Sequence, residues 1–137
     1  MTKIKRFAAM GICALMIAAA TVLPASANNH DDTSFKFFEY NSSSGQTDRR
    51  VKEDDSSMYM KPIMLSASYD AYAVGANSKT STVTPCDNGY VFRIGTQGRE
   101  YFINNWVYEW GFTYGAIHGD RVSGGGTVSG VWSPDSV

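Results

Sequence analysis

From residue 28 to its end the chain contains one leucine, Leu65, and fills its other apolar positions with Val, Tyr, Phe, Trp, Met, Ala and a few Ile. Leucine is among the best helix formers, so a helical domain almost without it would be unusual. Aromatic and β-branched side chains instead suit the pleated, half-buried surface of a strand. Twelve glycines in the same stretch, with many Ser, Thr and Asn, supply the turns that short strands need. These features predict an all-β domain.

The segments agree with that reading. Ser34 to Tyr40 forms a first candidate strand, and Asn41 to Thr47 is a Ser/Gly-rich loop. Asp48 to Asp55 reads as an exposed connection or a hydrophilic strand. Ser57 to Met64 sets Met58 and Met60 on one face and Tyr59 and Lys61 on the other, with Pro62 making it an edge strand or ending it early. Tyr69 to Ala76 alternates again, before the polar loop Asn77 to Thr84. Tyr90, Phe92 and Ile94 share a face, Gly95–Gly98 turns, and Arg99 to Ile103 returns, which predicts a hairpin.

In the stretch 104–121, the rings of Trp106, Tyr108, Trp110, Phe112 and Tyr114 would all share one face of a strand. A helix is the other option, but Gly111 would limit it to about two turns. The expectation is a loop or short helical turn near 104–109, then a strand from Phe112 to Arg121. Ser123 to Gly126 is a glycine turn, and Val128 to Trp132 is the last strand. Five to eight short strands with frequent turns predict a small antiparallel β-sandwich or barrel.

Residues 1–27 are of another kind. Lys3, Lys5 and Arg6 are followed by the apolar run Phe7 to Leu23 and by Pro24-Ala25-Ser26-Ala27. This is the basic start, apolar centre and small-residue cleavage site of a secretory signal peptide. The run has 17 residues, short of the roughly 20 that a spanning helix uses. Cleavage would start the working chain at Asn28 as a single domain over 28–137, outside the cytoplasm and with no stable membrane span. Three of the twelve basic residues precede residue 28 and all thirteen acidic ones follow it, which leaves a net charge of −4. A mildly acidic chain with no Lys/Arg cluster argues against nucleic acid as a partner.

Cleavage also removes Cys13, so Cys86 has no intramolecular partner. A leftover thiol in an exported protein points to a free thiol or an intermolecular bridge. Its setting, Pro85-Cys86-Asp87-Asn88-Gly89, reads as a turn with the sulfur accessible, so the chain is expected to be a monomer or a Cys86-linked dimer.

Three candidate sites follow. A chain beginning at Asn28 places His30 third, so its amine, the amides of Asn29 and His30, and the imidazole could wrap a square-planar Cu(II) or Ni(II) ion. Trp106, Tyr108, Trp110 and Tyr114 could offer stiff aromatic surface to a sugar or a protein partner. Glu100 and Glu109 are the carboxylates nearest those rings, and a glycosidase would need two such groups facing each other across a cleft. No nucleophile elbow, zinc-binding H-E-x-x-H or phosphate loop occurs. The expectation is a protein without catalytic residues or cofactor.

The chain also carries longer patterns: Asp32-Thr33-Ser34-Phe35, then Arg50-x-Lys52-x-Asp54-x-Ser56-x-Met58-Tyr59. Further on come Ile103-Asn104-x-x-Val107-Tyr108-Glu109-x-Gly111 and Gly130-Val131-Trp132-Ser133-Pro134-Asp135-Ser136. In these it resembles an uncharacterised family of short exported proteins of Gram-positive bacteria. The resemblance implies export and a bacterial source, and it brings no activity and no functional residue. A weaker similarity of size and composition links the chain to exported β-sandwich bacteriocins. Together these readings lead to an exported binding protein contacting cell-envelope glycan or another extracellular protein. A secreted toxin is the alternative, and a minor hydrolase the third possibility.

Overall fold

The computed structural model describes residues 29–136, so the signal peptide assigned to 1–27 and the start at Asn28 lie outside the described residues. The domain is all-β, as the composition predicts. Its strands are β1 (Thr33–Phe37), β2 (Ser44–Gln46), β3 (Arg50–Val51), β4 (Met58–Ala76), β5 (Thr84–Pro85), β6 (Phe92–Ile94), β7 (Tyr101–Ile103) and β8 (Tyr114–Ser133). They form one antiparallel sheet that does not close into a barrel.

Two long strands organise the sheet. β4 and β8 pair along almost their whole length, from Tyr59 opposite Ser133 to Ala76 opposite Tyr114. The short strands line the two outer edges in chain order. β1, β2 and β3 follow one another along β8, and β5, β6 and β7 follow one another along β4. The sandwich is therefore one sheet of four interrupted rows, bent over on itself.

The bend lies halfway along the long pair. The β4–β8 register shifts between Pro62 and Met64, between Leu65 and Ala67, and between Ser68 and Tyr69. Opposite them, Gly124 and Gly126 have φ of +83° and +94°, which side-chain-bearing residues rarely adopt. Bulges bend a strand and increase its local twist, and here they fold the two halves face to face.

The core lies between the halves. Met58 and Met60 from one half meet Tyr69, Ala71 and Ala73 from the other, with Phe37, Ile94, Ile103, Val107, Ile117, Val128 and Trp132 around them. The Tyr69 hydroxyl donates to Met60 Sδ at 3.2 Å across this interface. Phe37 needs glycine beneath it: a Cβ on Gly45 or Gly119 would lie 2.7 or 2.9 Å from its ring. Large rings and glycines thus interlock, and the core reaches close packing without a fully buried leucine.

Two chain segments, 52–57 and 104–113, meet at the open end away from the bend, where the Asn105 side-chain amide donates to the Ser56 carbonyl at 3.0 Å. The second is a turn, with the Trp110 amide bonded to the Trp106 carbonyl at 2.9 Å and the Phe112 amide to the Val107 carbonyl at 3.0 Å. This is the loop or short helical turn expected there.

Several local expectations are corrected. The segments expected at Ser57–Met64 and Tyr69–Ala76 fall in the one strand β4, and those expected at Phe112–Arg121 and Val128–Trp132 fall in β8, which starts only at Tyr114, because bulges opposite Ser123–Gly126 absorb the bend without breaking the pairing. The hairpin of residues 90–94 and 99–103 does not form. β6 and β7 run in the same direction along β4, and Gly98 between them donates to the Pro62 carbonyl at 2.8 Å. The first strand stops at Phe37, since Phe38 and Tyr40 adopt left-handed backbone with φ of 63° and 54°. The stretch 48–55 is not simply exposed, because Lys52 is buried.

Candidate functional site

Lys52 is the centre of the open end. Its Nζ donates to Asp135 Oδ1 at 2.6 Å, and neither side chain is accessible to solvent. It also donates to the Ser56 carbonyl at 2.6 Å. The second Asp135 oxygen accepts from the Asn29 and Glu53 amides at 3.1 and 3.2 Å. The Asn105 amide joins the Ser56 carbonyl at 3.0 Å, and the Ser136 amide joins the Ser56 hydroxyl at 3.0 Å. Burial pushes the Asp54 carboxyl up, but its bonds from Ser56 and the Lys52 charge outweigh this and hold it below the usual carboxylate value. Arg50 completes the cluster, reaching the Asp31 carbonyl at 2.6 Å and lying 5.7 Å from the centre of the Trp132 ring.

The sequence patterns at 32–35, 50–59, 103–111 and 130–136 all send residues to this end of the sandwich. Every oxygen of Asp135 is occupied by protein donors, so the cluster ties the Asn29, 52–56 and 133–136 segments together.

Beside it lies a groove of about 450 Å³, formed by the His30–Asp32 segment, the outer faces of β4 and β7, and the C-terminal residues. Met58 and Met60 point into the core, so Tyr59 points out, and Phe102 faces it in register. Their ring centres are 5.8 Å apart. The Tyr59 hydroxyl donates to Glu100 Oε1 at 3.2 Å, and Lys61 stands 3.7 Å from the same oxygen. Burial first, then the neighbouring Glu100 charge, pushes the Tyr59 hydroxyl up to about 12. The outward Tyr59 was legible from the Met58–Met60 alternation. Its neighbours Phe102, Glu100 and Asp32 were not, because they come from distant segments.

The aromatic set read from the sequence is only partly assembled. Tyr108 and Trp110 are about half exposed on the 104–113 turn, and Tyr90 is similarly exposed. Trp106 is half-buried, stacked on Tyr90 with ring centres 5.5 Å apart and planes 26° from parallel. Phe112 packs on the core, and Tyr114 is held in the sheet opposite Ala76 and Val51. Glu109 is exposed on the turn, outside the groove that holds Glu100.

The accessible Cys86 sulfur expected from the turn sequence is corrected. It is buried, not accessible, with its thiol directed to the Thr84 carbonyl at 3.3 Å. Burial pushes the thiol up to about 11, so it is neither a ready nucleophile nor poised for an intermolecular bridge. Asn28 of the proposed copper site lies outside the described residues. The Asn29 amide is engaged with Asp135 and would have to leave it to bind a metal, while His30 lines the groove. Among the described residues, no group of three His, Cys, Asp or Glu side chains is placed to hold a metal ion, and no helix is long and apolar enough to cross a membrane.

A family model described as a protein of unknown function (DUF2712) matches residues 23–136, which is nearly the whole chain. No curated protein and no solved structure matches it.

Proposed function

We propose that this chain, which belongs to the DUF2712 family, is an exported non-catalytic binding protein of a Gram-positive bacterium, acting at or outside the cell envelope. The observation that carries this reading is the aromatic surface around the 104–113 turn. Tyr90, Tyr108 and Trp110 each leave about half their area exposed, and half-buried Trp106 stacks on Tyr90. Stiff rings kept at a surface give large contact area at low entropic cost, and they suit the face of a sugar or a protein partner. The signal-like residues 1–27 supply the route out of the cell.

The test is retention on purified cell walls of protein recovered from culture medium, comparing the parent with the Tyr108→Ala, Trp110→Ala double variant. Retention by the parent and its loss in the variant are the expected result. Equal retention of both, or none of either, would remove the turn from the binding surface. An intact mass beginning at Asn28 is expected, and a mass that includes residues 1–27 would overturn export by cleavage.

A secreted toxin is the second reading. It is favoured by the apolar side chains exposed along the bend, Ile63 and Met64 on β4 and Val122 on β8. Growth inhibition of related bacteria by the purified protein would support it.

A further inference from the structure

We infer that the groove between the His30–Asp32 segment and the outer face of β4 and β7 is a binding site for the cationic side chains of a basic peptide. The site is separate from the 104–113 turn, and the argument for it does not depend on what that turn binds. At about 450 Å³ the groove has the volume of an organic ligand site rather than that of a bare ion. Its wall is the tilted pair of Tyr59 and Phe102, with Phe102 half exposed. Ring faces attract ammonium and guanidinium groups through their quadrupole.

Charge points the same way. Asp31, Asp32 and Glu100 line the groove. Among the described residues neither Asp31 nor Asp32 takes part in an ion pair, and Glu100 has only Lys61 at 3.7 Å. An aromatic wall beside two carboxylates that make no ion pair, and a third held only by Lys61 at 3.7 Å, complements an organic cation. Carboxylates supplied from two separate segments call for more than one positive group, which selects a peptide over a single amine. The acidic wall is held in place from within, since Arg50 binds the Asp31 carbonyl at 2.6 Å and Asp135 binds the Asn29 amide at 3.1 Å.

The test titrates the secreted protein into a fluorescent tetralysine peptide with blocked ends, at low and at physiological salt. The parent is expected to bind, more weakly as salt rises. The Asp31→Asn, Asp32→Asn pair and Phe102→Ala are each expected to weaken binding about tenfold or more. Asp32→Glu should retain binding, which shows that the charge and not the fold was lost. Asp48→Asn, an exposed carboxylate outside the groove, and Trp110→Ala should leave affinity unchanged. Equal weakening by Asp48→Asn would make the attraction diffuse and overturn the site. So would unchanged affinity in both groove variants, displacement of the peptide by equimolar Ca²⁺ or Mg²⁺, or equal affinity for N-acetyl-lysine amide. Failure here leaves the wall-retention test of the aromatic turn untouched, and failure there leaves this site untouched.

Discussion

Lys52 and Asp135, 83 residues apart in sequence, meet in an ion pair of 2.6 Å from which solvent is fully excluded. The pair joins the 52–57 segment at the open end of the folded sheet to the last residues of the chain. It tolerates burial because each charge is completed by other bonds, Lys52 by the Ser56 carbonyl and Asp135 by two backbone amides. Taking two ions out of water costs several kcal/mol each, so the pair gains more in defining one closed geometry than in net stability.

Removing one partner should therefore be severe. Lys52→Ala leaves a buried carboxylate without its cation and should cost about 3–5 kcal/mol in urea unfolding. The Lys52→Met, Asp135→Asn double variant removes both charges and should be less destabilised than the sum of the singles. Strict additivity would show that the two residues do not act as a pair.

Cys86 should be silent in the native state. Alkylating reagents at pH 8 should label it only after unfolding, and mass measurement without reductant should find no doubled species. Its thiol is raised from the ordinary 9.0 to about 11 by burial. Between those values the unfolded chain has lost the proton and the folded chain keeps it. This contribution to stability is complete below pH 9 and is lost as pH rises towards 11. Cys86→Ala should flatten that part of the alkaline unfolding curve. An unchanged curve would mean that the thiol is not what titrates there.

Tyr59 should ionise near pH 12, followed by its ultraviolet absorbance. Burial is the larger cause and Glu100 the smaller one. Glu100→Gln should lower the value without restoring the ordinary 10, because the burial is still present. A full return to the ordinary value would assign the whole shift to Glu100.

Core and surface glycine and aromatic positions should separate cleanly. Gly119→Ala places a methyl carbon 2.9 Å from the Phe37 ring, and overpacking of this kind costs about 1–3 kcal/mol. Trp110→Ala removes a ring that already has half its area in water and should cost about 1 kcal/mol. A large loss at Trp110 would show it to be structural and would weaken its place in the binding surface.

The sequence alone determined the class of fold and the faces of its strands. A chain with Leu65 as its only leucine after residue 27, rich in β-branched and aromatic residues, has little choice but strands. The alternation of Met58 and Met60 with Tyr59 and Lys61 fixes which side is buried, because the side-chain period of a strand is two. The short turn at Trp106–Trp110 was equally legible, since Gly111 ends any longer helix.

Partnership was decided by the tertiary structure. Residues 90–103 look like a hairpin because Gly95 and Gly98 can turn a chain. Both arms instead pair with β4, whose free edge offers more backbone partners than the arms offer each other. Ser123–Gly126 looks like the end of a strand, yet β4 carries bulges opposite it and the strand continues. Cys86 looks exposed in a turn sequence, but Gly75 leaves a space beneath it that its sulfur fills. Local propensity acts over a few residues, whereas the convergence of Lys52, Asn105 and Asp135 depends on where the folded sheet brings distant segments together. No local pattern carries that information.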